Sequence, residues 1–305
     1  MFSPGKLPLE LIYLLIKEFD VPELLILGAA SNSLRNAVLH NKRIGTLRGC
    51  YRFCIAPSIS ESPCKNPFSG LSELELNLDL NAHRYALYTI KPFLDQLPLS
   101  RLRVRGIMDP VAGVKLRELI TDPNFNCQQV EFIRATFNDE DSIDGRLVIY
   151  SISSFFNGKS SVSFSLCTFD SGSLLALIEM VGAGQLKNFF FRSNFIDEFP
   201  TQALRYAIES NPVLSHLEIS GAGLGFEADP LALLFKTISA SGITHLTLRT
   251  NDIGLVQVSL PPFPQVVFLD LSDNPLFRLN PTDFEAWKRT LTSVETLKLE
   301  DTLAI

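Results

Sequence analysis

The sequence predicts an α/β fold in which short parallel strands alternate with return segments, several of them helical, at a nearly constant interval. Three observations carry this prediction. A pattern of apolar residues occurs three times between Leu214 and Leu276. Extended in both directions, the pattern recurs about every 28 residues from Leu71 onward. Between its copies, apolar residues follow the i, i+3, i+4, i+7 spacing of helices.

Each of the three copies has apolar residues at positions one, four, six and eleven. Positions four and six, such as Leu217 and Ile219, are two residues apart and therefore face the same side of a strand. Position nine is Asn251 in the second copy and Asn274 in the third, whereas the first copy has Ala222. An Asn side chain there is expected to bond backbone groups where the strand turns away.

The extended pattern predicts nine strands, whose fourth positions are Leu74, Leu102, Val130, Val162, Phe189, Leu217, Leu246, Leu269 and Leu297. Three return segments are predicted to be helical, one after Ser171 and Ser173, one capped by Asp229-Pro230 and one capped by Asn280-Pro281. Their predicted buried faces are Leu174, Leu177, Ile178 and Val181; Leu231, Leu234, Phe235 and Ile238; and Phe284, Trp287 and Leu291. The interval with Pro261, Pro262 and Pro264 is expected to cross without a regular helix.

The pattern L-x-x-L-x-L-x-x-N/C-x-L resembles leucine-rich repeats, and the long interval resembles the ribonuclease-inhibitor-like ones. The resemblance implies a horseshoe-shaped solenoid of about nine repeats over residues 71–305, with parallel strands inside and helices outside.

The apolar pattern of residues 1–45 predicts a small helical unit. Within it, one helix face is formed by Ile12, Leu15, Ile16 and Phe19. Three of its motifs resemble an F-box: Leu7-Pro8-Leu9-Glu10, Asp20-Val21-Pro22-Glu23-Leu24-Leu25 and Ser31-Asn32-Ser33-Leu34-Arg35. The resemblance implies docking on a Skp-type adaptor and through it on a cullin. The apolar contacts would come from Leu7, Pro8, Leu11, Ile12 and Leu24. A plain helical cap over the first repeat is the alternative. Residues 46–70 are expected to be a linker or a first edge strand.

Positions three, five, seven and eight of each strand are predicted to face the concave side, where repeat proteins bind partners. The basic residues at these positions are Arg101, Arg103, Arg105, Arg134, Arg192 and Arg249, and the acidic ones near the end are Asp270, Asp273, Glu300 and Asp301. Arginine favours carboxylate and phosphate, so an acidic or phosphorylated segment of a target is a candidate ligand. The alternative is a solvated face with local pairs, such as Arg101 and Arg103 beside Glu73 and Glu75.

Phe190 and Phe268 also fall at outward positions and are candidate anchors for a partner. The candidate partner-binding residues are thus Arg101, Arg103, Arg105, Arg192, Phe190, Arg249 and Phe268. His216 and His245 occupy the same repeat position one strand apart, without an obvious third metal ligand. Cys50, Cys54 and Cys64 lack a fourth ligand, so no metal site is expected.

The composition, 46% hydrophobic and 20% charged, is that of a globular protein. A formal charge of −6 does not indicate the basic surface that nucleic-acid binding requires. No apolar run is long enough for a membrane span. The five cysteines form no paired framework, and the N-terminal run is a poor signal peptide, so a cytoplasmic or nuclear location is expected.

No phosphate loop, nucleophile elbow or zinc-protease motif occurs in the sequence, so no catalysis and no cofactor are expected. The two resemblances together imply a substrate-recognition subunit of an SCF-type ubiquitin ligase that binds a target protein through its repeats. The alternatives are a non-enzymatic repeat scaffold or inhibitor and, third, a GTPase-activating horseshoe.

Overall fold

The structure is a computed structural model that describes residues 47–49, 73–77, 101–107, 127–137, 159–254, 259–276 and 280–300. Only the backbone is described for residues 47–49, 73–77 and 106–107. The chain divides into two compact units, Met1–Glu131 and Phe132–Ile305. The predicted F-box-like unit, residues 1–45, lies outside the described residues.

The described part of the first unit contains parallel strands β1 (Leu47–Gly49), β2 (Glu73–Asn77) and β3 (Arg101–Ile107). The register places Leu47 opposite Leu74 and Leu74 opposite Leu102. Leu102 is fully buried, as expected for position four of the pattern. β1 lies within residues 46–70 and extends the same register one repeat upstream of the nine predicted strands.

The second unit continues the alternation of strands and helices. The boundary between the units falls within β4 (Gln129–Phe137). The strands that follow β4 are β5 (Ser161–Ser165), β6 (Thr168–Phe169), β7 (Asn188–Arg192), β8 (His216–Ser220), β9 (His245–Thr247), β10 (Phe268–Asp270) and β11 (Thr296–Lys298). Their order in the sheet is β4-β5-β7-β8-β9-β10-β11, with β6 paired to β4. The α/β class with a parallel sheet is therefore confirmed.

The strand register follows the predicted pattern residue by residue. Position-four residues face each other in the pairs Val162 and Phe189, Phe189 and Leu217, Leu217 and Leu246, Leu246 and Leu269, and Leu269 and Leu297. Thr136 of β4 pairs with Thr168 of β6. These two threonines are separated by the same number of residues as Val130 and Val162, the position-four residues of β4 and β5. From Val162 to Leu269, position four is buried and fixes the alignment of neighbouring strands because its apolar side chain must stay in the core, whereas Leu297 in the last strand is 38% exposed.

The helices of the second unit are α1 (Ser171–Ala183), α2 (Thr201–Ser210), α3 (Ala228–Ala240) and α4 (Pro281–Lys288), with a 3-10 helix at Leu224–Phe226. The predicted buried face of α3 is confirmed, but its cap is not: Glu227 precedes the helix, and Asp229 lies within the first turn. Asn280 caps α4 as predicted, since its Oδ1 accepts from the backbone N of Thr282 at 2.9 Å. Residues 259–267 contain no helix, as the prolines predicted.

Helix α2 was not singled out by the sequence pattern, although Leu204, Ala207 and Ile208 form its buried face. It packs against α1 at Gly182, where an added Cβ would lie 2.9 Å from the Cα of Ala207. The close approach explains why a glycine occupies the last turn of α1.

Phenylalanines fill the core of the second unit near β4 to β7. Phe132 stacks on Phe164 with ring centroids 4.9 Å apart, and Phe137 stacks on Phe169 at 4.7 Å. These rings come from the apolar positions of successive repeats, so the repeat pattern also builds the core. Among the described residues, none of the helices combines the length and the apolar character that crossing a membrane requires.

Candidate protein-binding face

Buried amides at position nine shape the turns that follow β7, β9 and β10. The Oδ1 of Asn274 accepts from the backbone N of Asn251 at 2.9 Å and of Ile253 at 3.1 Å. Its Nδ2 donates to the carbonyls of Leu248 at 2.7 Å and Leu271 at 2.9 Å. The predicted role of this Asn is confirmed: it satisfies backbone groups that the turn would leave unpaired.

The same arrangement recurs in earlier repeats, and we call the set Asn194, Asn251 and Asn274 the amide ladder. Asn251 accepts from the backbone N of Ala222 at 2.9 Å and donates to the carbonyl of Ile219. Asn194 accepts from the backbone N of Cys167 at 2.8 Å and donates to the carbonyl of Phe164 at 3.2 Å. Each amide therefore ties its own repeat to the preceding one.

Position eight has a left-handed backbone in successive repeats. The residues there are Arg134, Leu166, Ser193, Gly221, Thr250 and Asp273, with φ between +47° and +67°. Such a conformation is uncommon for residues other than glycine, so its recurrence marks the same sharp turn in each repeat. The turn ends each strand at a fixed point, which leaves positions three, five and seven in rows across one face of the sheet.

In the first unit, the predicted arginines of β3 are charge-balanced. The guanidinium groups of Arg101 and Arg103 both contact Glu131 Oε2, each at 2.9 Å. The predicted partners Glu73 and Glu75 lie opposite these arginines in the backbone register. The observed carboxylate partner of both arginines is Glu131, which was not a predicted partner. Arg105, the third arginine of β3, is half-buried.

In the second unit, the predicted arginines also contact carboxylates of the next strand. Arg192 contacts Glu218 at 2.7 Å, and Arg249 contacts Asp273 at 2.8 Å. The hydrogen bond from Arg249 to Asp273 raises the pKa of the Arg249 guanidinium. These pairs hold the side chains along the face and neutralise most of their charge. Arg134 is exposed at its left-handed position.

The expectation that Asp270 faces solvent is wrong. Its side chain is 5% exposed and accepts a hydrogen bond from the backbone N of Ser272 at 3.0 Å. A strand end that turns sharply leaves a backbone N–H free, and the short Asp side chain can reach it. Of the other acidic residues expected there, Asp273 is paired with Arg249, Glu300 is exposed and Asp301 lies outside the described residues.

Phe190 and Phe268, the two predicted anchors, are the ends of a continuous row of rings. The ring centroid of His216 lies 4.9 Å from that of Phe190 and 4.9 Å from that of His245. His245 in turn stacks on Phe268 with centroids 6.0 Å apart and an angle of 17° between the rings. We call Phe190, His216, His245 and Phe268 the ring row. It crosses β7, β8, β9 and β10.

A cation lies over each end of the ring row. The guanidinium of Arg192 is 4.7 Å from the Phe190 centroid, and the ammonium of Lys298 is 5.2 Å from that of Phe268. Both distances are within the range of cation–π contacts. Lys298 was not among the predicted site residues, because the sequence gives no signal that places it over a ring in the neighbouring strand.

The ring row is partly accessible to solvent. His245 is exposed, and Phe190, His216 and Phe268 are half-buried. Burial and, after it, the neighbouring His245 lower the pKa of His216 below its ordinary value. Glu218 acts against this shift, and Arg192 adds to it. Neutral His216 therefore prevails at neutral pH, which permits the close stacking of the two imidazoles.

Among the described residues, no three His, Cys, Asp or Glu side chains are grouped so that they can hold a metal ion. Cys127 and Cys167 are buried, and Cys167 occupies position nine of its repeat. Cys50, Cys54 and Cys64 lie outside the described part of the chain, as do the candidate adaptor contacts Leu7, Pro8, Leu11, Ile12 and Leu24. The arrangement on the described face is therefore one of rings and ion pairs, suited to binding.

Comparison of the sequence with known protein families and with curated proteins finds no match in either set.

Proposed function

We propose that this chain is a substrate-recognition subunit of an SCF-type ubiquitin ligase. Residues 1–45 act as the F-box that binds a Skp-type adaptor and through it a cullin. The repeats form a leucine-rich-repeat horseshoe whose concave face binds the target protein. The chain itself catalyses nothing, because its role is to hold the target near the enzymes that transfer ubiquitin. The proposed location is the cytoplasm or the nucleus.

The observation that carries the repeat assignment is the amide ladder. Asn194, Asn251 and Asn274 occupy position nine of three repeats and make the same bonds to the preceding repeat. Parallel strands in one register, with a left-handed residue at position eight, support the same assignment. This geometry leaves one face of the sheet free of core residues, as a binding surface requires.

The composition of that face favours a protein as the target. Its rings are half-buried or exposed, and aromatic side chains are enriched at the centres of protein–protein interfaces. Nucleic acid is disfavoured by the formal charge of −6 and by the carboxylate partners of Arg192 and Arg249.

The arginines of β3 remain proposed contacts for an acidic or phosphorylated target segment. Their charge is shared with Glu131, and the register places Glu73 and Glu75 beside them. An acidic ligand must therefore compete with the carboxylate of Glu131. This makes the ring row the stronger candidate for the main contact with the target.

Co-purification of the full chain with a Skp-type adaptor tests the ligase proposal. We expect a stoichiometric complex with the wild type and its loss in a Leu7→Ala/Pro8→Ala variant, because these side chains are the proposed apolar contacts. A Phe190→Ala/Phe268→Ala variant is the matched control and should still bind the adaptor. If the wild type binds no adaptor, the ligase proposal is wrong.

The same experiment separates the alternative of a repeat scaffold or inhibitor whose N-terminal helices are a cap. A cap stabilises the repeat array by covering its first repeat. Under that alternative, the Leu7→Ala/Pro8→Ala variant would unfold at lower urea concentration, and neither it nor the wild type would bind the adaptor. Adaptor binding by the wild type contradicts the alternative.

A further inference from the structure

We propose that the ring row is the anchoring site for the target and that it takes an extended, acidic-aromatic peptide segment. In this segment, aromatic side chains stack on the ring row and the following carboxylates lie beside Lys298. The inference rests on the proposed function in that the target is a protein. It adds which residues hold the target and what chemistry they select.

The four rings form one surface because each contacts the next. The centroid distances are 4.9 Å, 4.9 Å and 6.0 Å from Phe190 to Phe268. Parallel strands lie about 4.8 Å apart, so three spacings give a row of about 14 Å. An extended chain covers that length with about four residues. The row therefore fits a short extended segment laid across the strands.

None of the four rings is required to close the core. The fold-defining residues of the same strands are Phe189, Leu217, Leu246 and Leu269, all fully buried. The rings lie at the intervening positions, on the opposite face of the strands. At position three, where His216, His245 and Phe268 lie, the corresponding residues of other repeats include Arg101, Gln129 and Ser161. Rings at this position are therefore a feature of the segment β8 to β10.

The charges at the ends of the row select the ligand's direction. At one end, the guanidinium of Arg192 is already paired with Glu218 at 2.7 Å. At the other end, Lys298 lies over Phe268 and has no carboxylate partner among the described residues. A ligand carboxylate beside Lys298 would gain an ion pair without displacing one. The acidic end of the peptide therefore lies at β11 and its aromatic part over His245 and Phe268.

The hydrogen-bonding groups of the exposed imidazole are consistent with this placement. Thr244 Oγ1 lies 3.0 Å from Nδ1 of His245, which leaves its Nε2 directed away from that contact. Because Thr244 Oγ1 donates to the carbonyl of Ser215 at 3.1 Å, it accepts from Nδ1 of His245, and Nε2 of the neutral ring is then an acceptor for a peptide N–H. His245 thus offers both a ring face and a polar edge to the segment.

The test uses two fluorescein-labelled peptides that differ in charge alone: Gly-Tyr-Phe-Asp-Glu-Glu and Gly-Tyr-Phe-Lys-Lys-Lys. Fluorescence anisotropy with the full chain should show the acidic peptide binding at least tenfold tighter. A third peptide, Gly-Ala-Ala-Asp-Glu-Glu, should bind at least tenfold more weakly than the first. Nuclear magnetic resonance should show that the acidic peptide shifts the ring signals of His216 and His245.

Variants of the chain sharpen the test. A His245→Ala/Phe268→Ala variant should lose at least tenfold in affinity for the acidic peptide. Lys298→Glu should reverse the preference, so that the lysine peptide binds tighter than the acidic one. Tyr206→Ala is the matched control, because Tyr206 is 51% exposed and also lies under an arginine, Arg205, at 4.2 Å. It should leave both affinities unchanged.

Equal binding of the acidic and lysine peptides, or a Lys298→Glu variant without altered preference, would overturn the inference. Because Lys298 is exposed, the Lys298→Glu variant should fold. Its result therefore decides the question even if the His245→Ala/Phe268→Ala variant does not fold. The peptide assay needs no adaptor and therefore separates the two proposals. A chain that binds the acidic peptide but no adaptor keeps the anchoring site and loses the ligase role. A chain that binds adaptor but discriminates no peptide loses the anchoring site alone.

Discussion

The amide ladder and the ring row both cross strands of the second unit, and they differ in burial and in what their side chains contact. The amide ladder is buried, with Asn251 fully inaccessible and Asn274 at 1% exposure. Its members bond the backbone of their own and of the preceding repeat. The ring row is half-buried to exposed, and its members contact one another and two cations.

The difference teaches which positions of the repeat hold the fold and which are available for recognition. A buried polar side chain is kept by the backbone groups that it satisfies, so substitution leaves those groups unpaired. A half-exposed ring loses part of its apolar contact when it is truncated, while water reaches the vacated space. The amide ladder should therefore govern stability, and the ring row should govern binding.

The largest expected effect is the loss of stability in Asn274→Ala. The substitution leaves the backbone N of Asn251 and of Ile253, and the carbonyl of Leu248, without the amide that bonds them. We expect the free energy of unfolding to fall by about 3 kcal/mol or more, since each unsatisfied buried group costs about 1 to 3 kcal/mol. Urea denaturation followed by circular dichroism measures the change.

Asn194→Ala is the matched control for that prediction. Asn194 makes two backbone bonds, one from the N of Cys167 and one to the carbonyl of Phe164, and so its loss should cost less. A loss in Asn194→Ala as large as that in Asn274→Ala would contradict the argument from the number of satisfied groups.

A smaller effect on stability is expected for the Phe190→Ala/Phe268→Ala variant. Each ring is half-buried and has one ring neighbour within the row, a contact worth about 0.5 to 1.5 kcal/mol. The free energy of unfolding should therefore fall by about 1 to 2 kcal/mol, in the same urea titration. A larger loss of unfolding free energy than in Asn274→Ala would contradict the distinction between the amide ladder and the ring row. The ring row would then be needed for stability.

The smallest expected effect is a pH dependence that arises from His216. Its pKa is lowered in the folded chain, chiefly by burial and then by His245, whereas the unfolded chain regains the ordinary value of about 6.5. Between the folded-state pKa and about 6.5, the unfolded state binds more protons than the folded state. The free energy of unfolding therefore falls as the pH is lowered through this interval, and stops falling below the folded-state pKa. Thermal melts at pH 7.5 and 5.5 should show a larger decrease for the wild type than for His216→Gln. Equal decreases would show that other groups account for the pH dependence.

The periodic part of the fold was readable from the sequence. Positions four and six predicted the strand positions, with the register of β2 against β3 in the first unit and from β5 to β11 in the second, because an apolar side chain in the wrong register would leave the core. The buried face of α3 was readable for the same reason, at a period of 3.6 residues. Its cap was not, because Asp229 and Glu227 are both compatible with a helix start and local sequence does not choose between them.

The candidate site was readable only in part. Phe190, Phe268 and the arginines were placed on one face by their repeat positions, but their partners were not. Glu131 and Glu218 are also outward residues, and nothing in a single sequence states which guanidinium each will contact. Asp270 was expected in solvent, whereas a bond to the backbone N of Ser272 draws it into the turn.

What the sequence determined by itself is the repeat: its interval, its strands, and the buried Asn at the turn. These follow from periodic burial and from backbone groups that must be satisfied, both of which are local and recur with the pattern. What the tertiary structure decided is which outward side chains meet. Phe190, His216, His245 and Phe268 are far apart in the chain, and only the register of four paired strands brings their rings into one row.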